Sequence, residues 1–418
     1  MITAIKGNIV EARRLGELTI TEHGVLLLED GRVLGVYPAL PGAYEGVAVA
    51  DYGDRLILQS FCDMHMHAPQ YPLMGMGMDL PLLEWLNKYA FPTEAAFADT
   101  ALAEKLFTQL ARAFVDNGTT RVCLFSSLHC DATLLLMAAL EAEGVTGYVG
   151  KVNMDRNCME GYQETTEGSK AETLRWLDAC GRFSHVKPIL TPRFTPACTD
   201  ELMAWLGALA KERGLYVQSH LSENVAEIAW VKKLHPDCRQ YWETYDKFGL
   251  LTDHTIMAHC VYSDEREQAA LRERNVLVAH SPDSNIAICS GHAPIRRMLD
   301  NGLWVALASD VSGGALLPMN QVMTACIRTS KAVRIEANWD VPFLTVAEAY
   351  YLGTTSAARY FGGGAGFAAG DPLHAVVVDD ASFPAIGTLS VAERFERAIY
   401  LMTAENVVAV YGDGKLLK

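Results

Sequence analysis

Two textures of apolar and polar spacing divide the chain. Residues 1–55 read as short strands joined by tight turns. The stretch Gly24-Val-Leu-Leu-Leu-Glu-Asp-Gly-Arg-Val-Leu-Gly-Val-Tyr is two apolar runs broken at Asp30-Gly31, a hairpin signal. Residues 363–418 repeat that texture, with a strand at His374-Ala-Val-Val-Val-Asp and a second hairpin at Asp413-Gly414. Two β-rich ends around a different middle predict one small β-sandwich domain formed from both ends.

Between them, over residues 56–362, strands and helices alternate. Strands are expected at 55–64, 119–125, 146–154, 186–193, 215–220, 255–260, 276–281 and 304–310. Helical spacing lies between them, as in Glu94 to Asn117, Thr199 to Arg213, Asp264 to Asn275 and His292 to Asn301. Gly118, Gly144, Gly214 and Gly302 are placed to end helices before the next strand. Eight strand–helix units in about 300 residues predict an α/β fold, a closed (β/α)8 TIM-type barrel. A doubly wound sheet is the alternative, but it gathers no eight strand ends, and no Gly-x-Gly-x-x-Gly opens the pattern.

The polar residues fall where such a barrel does its chemistry, at the C-terminal ends of the strands. The first run ends in His65-Met-His67, and strand alternation turns both imidazoles to one face. Arg193 ends the fourth strand, His220 the fifth, His259 the sixth, His280 the seventh and Asp310 the eighth. One histidine at a strand end is ordinarily a hydrogen-bonded structural residue. Five strands ending this way together point to a metal site. His65, His67, His220 and Asp310 make a set of three imidazoles and one carboxylate, suited to Zn2+ with Fe2+ as the alternative, and open to a catalytic water.

Glu223 follows His220 by three residues. Entering a helix, that spacing returns it to the site as a proton shuttle; the plainer reading is a capping-box partner. His259 is expected to hydrogen-bond the attacking hydroxide or the tetrahedral intermediate rather than to ligate. His280 either orients Asp310, closes the pocket or only supports it.

Composition narrows the partners. A net charge of −15 argues against nucleic acid and anionic membranes, which need a basic face. No stretch approaches the ~20 apolar residues of a membrane span, and the first residues lack the pattern of a signal peptide. The ten cysteines show no paired framework and no Cys-x-x-Cys. Free thiols in a reducing cytoplasm are therefore expected, and with them a cytoplasmic location.

At this point the residues resemble the amidohydrolase superfamily, and within it the guanine deaminase family. The stretch His65-Met-His-Ala-Pro-Gln-Tyr-Pro, continuing through Asp79-Leu-Pro-Leu-Leu-Glu-Trp-Leu to Phe91-Pro-Thr-Glu, carries the resemblance. Further matches are Gly150-Lys-Val-Asn-Met-Asp-Arg-Asn, Pro192-Arg-Phe, Gln218-Ser-His-Leu-Ser-Glu-Asn, Met257-Ala-His and Ser309-Asp-Val-Ser-Gly-Gly. The resemblance implies hydrolytic deamination of guanine to xanthine and ammonia by a homodimer, with zinc on His65, His67, His220 and Asp310. It places Gln70, Arg193 and Phe194 around the purine beside His220, Glu223 and Asp310, with Glu223, Asp310 and His259 catalytic.

Guanine offers O6 and N7 as acceptors to the Arg193 guanidinium, and Gln70 carries both a donor and an acceptor. Phe194 either packs on the base or joins the core; Trp85 and Phe91 either line the mouth or pack on a helix face. Two-metal relatives bridge their ions with a modified lysine at the end of strand four. Here that end reads Thr191-Pro-Arg-Phe, with Lys187 at the strand's start, so one ion is expected. The motif His280-Ser-Pro-Asp-Ser-Asn departs from relatives that carry Cys after the His and an uncharged residue at position 283, which bears on how the far edge of the substrate is read. Deamination of another aminated ring (an 8-oxidised purine such as 8-oxoguanine, a pterin or a triazine) is the nearer alternative, and a scaffold that has lost its chemistry the remote one. The His-x-Glu and Pro-Cys-x-x-Cys motifs of cytidine and nucleic-acid deaminases are absent.

Overall fold

The computed structural model describes residues 1–363 and 366–418; positions 364 and 365, inside the expected C-terminal segment, lie outside the described residues. Eight parallel strands form the middle of the chain: β1 (Phe61–His67), β2 (Thr119–Phe125), β3 (Thr146–Gly150), β4 (Val186–Pro192), β5 (Tyr216–Leu221), β6 (Thr255–His259), β7 (Leu277–His280) and β8 (Trp304–Leu307). They pair in sequence order, each parallel to the next, and Val152–Asn153 adds a short extension beside β4. The chain leaving β8 closes the ring on β1: Asp310 N donates to His65 O at 2.9 Å and His67 N to Val311 O at 3.1 Å. Closure is thus made by the residues that carry the site.

Helices alternate with the strands, and their ends obey capping chemistry. Asp99 accepts from the amides of Ala101 and Leu102 to start Thr100–Asp116, Thr199 starts Asp200–Arg213, and Gly214 ends that helix at φ +62°. The helix expected from Glu94 therefore begins six residues later. Glu94 belongs instead to a separate short helix, Phe91–Ala95.

A second correction concerns the strand expected at 55–64. The chain changes partners at Ser60: Ala48–Gln59 lies in a different sheet, and β1 begins at Phe61. The backbone shows why. Gln59 N donates to Tyr350 Oη at 2.7 Å, Ser60 N to His374 O, and Phe61 N to Gly118 O. A pairing irregularity between Asp63 and Met66 then resets the facing of β1. Cys62 and Met64 pack inside the barrel with Cys123, Ile189, Ile256 and Ala306, Met66 joins the outer core, and the two histidines reach the mouth.

The chain ends build one seven-stranded sheet. Its order is 415–416, 407–412, 375–378, 48–59, 2–14, 17–29 and 32–37, with 2–14 parallel to 48–59 and every other pair antiparallel. The expected sandwich is this single sheet curled over an apolar layer that includes Ile5, Ile9, Leu26, Ile57, Val377 and Ala409. Its edges meet where Leu373 N donates to Gly31 O and Gly414 N to Leu373 O, both at 2.9 Å. Gly31 and Gly414, at φ +78° each, sit at the two expected hairpin turns. The opposite face packs on the barrel. At Gly118 (φ +77°) a Cβ would lie 2.9 Å from Val376 Cγ2, so a residue without a side chain is required there.

Candidate active site

The strand ends converge on one cavity, lined by His67, Gln70, Arg193, Phe194, His220, Glu223, His259, Asp310 and the apolar side chains of Leu82, Trp85, Leu86 and Ile288. Apolar walls with a few convergent polar groups are the usual composition of a small-molecule site. His65 lies directly beneath, 1% exposed, its ring edge-on to Phe125 at 4.8 Å.

His65 Nε2 is 3.2 Å from Asp310 Oδ1, and His67 Nε2 is 3.9 Å from the same oxygen. The Nε2 atoms of His67 and His220 face each other at 3.0 Å. His220 donates from Nδ1 to the Arg193 carbonyl at 2.6 Å, so its Nε2 carries the lone pair. Burial, then neighbouring positive groups, holds both rings well below the ordinary histidine value, so both are neutral. Two neutral imidazole edges facing at this distance, with the Asp310 carboxylate beside His67, suit a cation held beside both. His65, His67 and Asp310 form one group whose ligand atoms lie within 4.8 Å of one another, and His65, His220 and His259 form a second. The donor set fits Zn2+ or Fe2+, and no cysteine shares it.

His259 donates from Nδ1 to Asn285 Oδ1 at 2.9 Å, which directs Nε2 into the site, 3.7 Å from Glu223 Oε2 and 3.8 Å from Asp310 Oδ2. Glu223 is not on a helix. Ser222, at φ +48°, turns the chain so that Glu223 stands in the loop before Val225–Leu234. The capping box belongs to Asn224 and Glu227, and Glu227 also accepts from the Glu223 amide at 3.1 Å. Burial, then the charge of Asp310, pushes the Glu223 carboxyl up to about 8. At Asp310 burial works the same way, but His65, His259 and Ser284 outweigh it and hold the carboxyl below its ordinary value. Ser284 Oγ donates to Asp310 Oδ2 at 2.5 Å.

On the opposite wall, Arg193 is 2% exposed and grips the fully buried Glu94 in bidentate fashion, Nη1 to Oε2 at 2.5 Å and Nη2 to Oε1 at 2.9 Å. Burial disfavours that guanidinium's charge, but Glu94 more than compensates and raises its pKa. Gln70 donates to Glu94 Oε1 at 2.7 Å and accepts from Ser312 N at 3.1 Å. Phe194 packs in the apolar wall with Trp85 and Ile288. Trp85 lines the cavity, whereas Phe91 lies under the Arg193 guanidinium at 4.9 Å.

Two expectations change. His280 does not orient Asp310; among the described residues neither of its ring nitrogens has a hydrogen-bond partner, and burial, then His259, drives it down to about 3. Ser284 does the orienting instead. Asp283 does not line the cavity; its carboxylate accepts from Ala315 N at 2.8 Å and braces the loop after β8. Sequence reading missed Glu94 as a working residue, although it stands inside the quoted Phe91-Pro-Thr-Glu. Its signal was a carboxylate in an otherwise apolar stretch. Among the described residues all ten cysteines are free and no helix is long and apolar enough to cross a membrane.

Comparison with known proteins follows the same lines. The sequence profile of the amidohydrolase family matches residues 56–417. The guanine deaminase of Dictyostelium discoideum is 33% identical over an alignment covering 100% of this chain and 98% of its own length. The mouse guanine deaminase is 38% identical over 86% of this chain and 82% of its own. A crystal structure of guanine deaminase from C. acetobutylicum, with guanine bound in its active site, superposes with a TM-score of 0.97 at 38% identity, covering 100% of both chains.

Proposed function

This chain belongs to the amidohydrolase family and, within it, to the guanine deaminases, and from that premise we propose the following reading: it hydrolyses guanine to xanthine and ammonia. The observation that carries the reading is the pairing of two buried carboxyls of opposed proton affinity with a guanidinium and an amide across one cavity. Residues 60–362 form the catalytic barrel in this reading and the two chain ends the domain that braces it; the boundary expected at 55/56 moves to 59/60 because Ala48–Gln59 pairs in the end sheet.

His65, His67, His220 and Asp310 would hold one Zn2+ (Fe2+ is chemically admissible), which when bound lowers the pKa of a coordinated water toward neutrality. Arg193 directs N–H donors at O6 and N7, Gln70 reads a ring edge, and Phe194 closes one side of the pocket. Asp310, kept ionised, takes a proton from the water that adds to C2. Glu223, kept protonated by its surroundings, donates to N3 so that negative charge does not accumulate on the ring. His259 Nε2 lies between these carboxyls and steadies the oxygen added at C2. Asp310 passes the proton it took to the exocyclic nitrogen and the hydroxyl at C2 returns its own to Glu223, so the C2–N bond breaks, ammonia leaves and both carboxyls regain their starting states; guanine plus water becomes xanthine plus ammonia. The same reading includes a homodimer, as the resemblance implies, in the cytoplasm, a location the free cysteines favour.

The rival substrates rested on a pocket altered through Asp283 or Cys260; Asp283 engages Ala315 N and neither side chain lines the cavity, which removes that motive. The test is ammonia release and xanthine formation from guanine by zinc-loaded protein, beside a chelated sample. Xanthine formed only with metal supports the reading; a zinc-replete protein that leaves guanine intact overturns it.

A further inference from the structure

Glu94 contributes nothing to the reaction as derived above, yet it is the most heavily engaged carboxylate near the site. It is wholly buried, and four donors converge on its two oxygens: Arg193 Nη1 and Nη2, Gln70 Nε2, and Tyr162 Oη at 2.9 Å. A carboxylate so placed fixes more than charge. Holding Nη1 and Nη2 together sets the plane of the guanidinium, which Phe91 supports from one face, and leaves one hydrogen on each of those nitrogens unspent. At Gln70 the consequence is sharper. Glu94 can only accept and Ser312 N can only donate, so the amide is fixed from both ends with Nε2 toward Glu94 and Oε1 toward Ser312.

We propose that Glu94 is the positioning residue of the purine pocket, and that by aiming Arg193 and fixing the amide sense of Gln70 it sets discrimination for 6-oxo over 6-amino purines. The inference rests on the functional reading above. With Arg193 pinned, the 6-position of a bound purine meets only donors. A 6-oxo group satisfies them, whereas a 6-amino group leaves buried donors facing donors. Exchanging the carboxylate for an amide frees the guanidinium and removes one of the two constraints on Gln70.

The experiment compares guanine with 2,6-diaminopurine, which carries the same 2-amino leaving group and differs at position 6. For Glu94→Gln, KM for guanine is expected to rise about tenfold or more with a smaller change in kcat. The ratio of kcat/KM for guanine over 2,6-diaminopurine is expected to fall by a similar factor. Glu94→Asp, which keeps the charge but is one methylene too short to serve both partners, is expected to fall between wild type and Glu94→Gln, and gives the same reading if Glu94→Gln does not accumulate as folded protein. A loss of kcat alone, with KM and the ratio unchanged in either folded variant, overturns the proposal and leaves Glu94 a structural counter-ion. The two readings fail separately. Wild-type protein inert toward guanine but active on another aminated ring overturns the guanine assignment, while a KM rise for that substrate in the variants still supports positioning by Glu94.

Discussion

Glu223 and Asp310 face the same cavity, yet their surroundings drive their proton affinities in opposite directions. Burial dominates at Glu223, whereas two imidazoles and the Ser284 hydroxyl prevail at Asp310. Glu223→Gln removes the proton donor but keeps shape and polarity. Its kcat is expected to fall about 10²–10⁴-fold while zinc content and guanine affinity stay near wild type, read by steady-state kinetics and metal analysis. Because the donor form of Glu223 exists below its folded value, kcat/KM should decline as pH rises through about 8, and a profile flat to pH 9.5 would count against the assignment. The histidines and Asp310 were legible in the sequence because each interrupts or ends an apolar run. Glu94 was not, since its meaning lies in contacts with residues 24 positions before it and 99 after it.

At the scale of elements, the eight strands were legible because short apolar runs and helix-ending glycines punctuate the middle of the chain. The break at Ser60 was hidden, since Leu56 to Met64 is largely apolar and only the hydrogen-bond partner changes there. The placing of Glu223 was misread for a related reason: the left-handed Ser222 inserts a turn that spacing counts cannot reveal. Gly118 marks the seam between the two sheets. Gly118→Ala forces a side chain into a left-handed backbone and against Val376, and should cost about 1–3 kcal/mol, seen as a lowered midpoint in thermal or denaturant unfolding. An unchanged midpoint would mean the seam yields freely.

For the whole molecule, stability and acidity are linked through buried carboxyls that are costly to ionise. Glu267, under the site-bearing loop, is pushed up to about 7 chiefly by burial. Its folded value exceeds its unfolded one, so its favourable contribution is complete below about 4.5 and is lost as pH rises through 7. Glu267→Gln, which cannot ionise, should therefore gain thermal midpoint relative to wild type between pH 6 and pH 8; a constant difference across that range would show that the group does not titrate there.

The curled sheet carries a consequence for synthesis. Residues 48–59 hydrogen-bond on one side to residues 375–378, which the ribosome adds only after the entire barrel. At ordinary translation rates that partner arrives on the order of tens of seconds late, and an unpaired edge waits in the meantime. The waiting edge is the largely apolar 56–59, which pairs with 375–378, and the charged Asp51, Asp54 and Arg55 stand immediately before it. Charges that flank so short an apolar edge act against its pairing with a neighbouring nascent chain in the interval before residues 375–378 arrive.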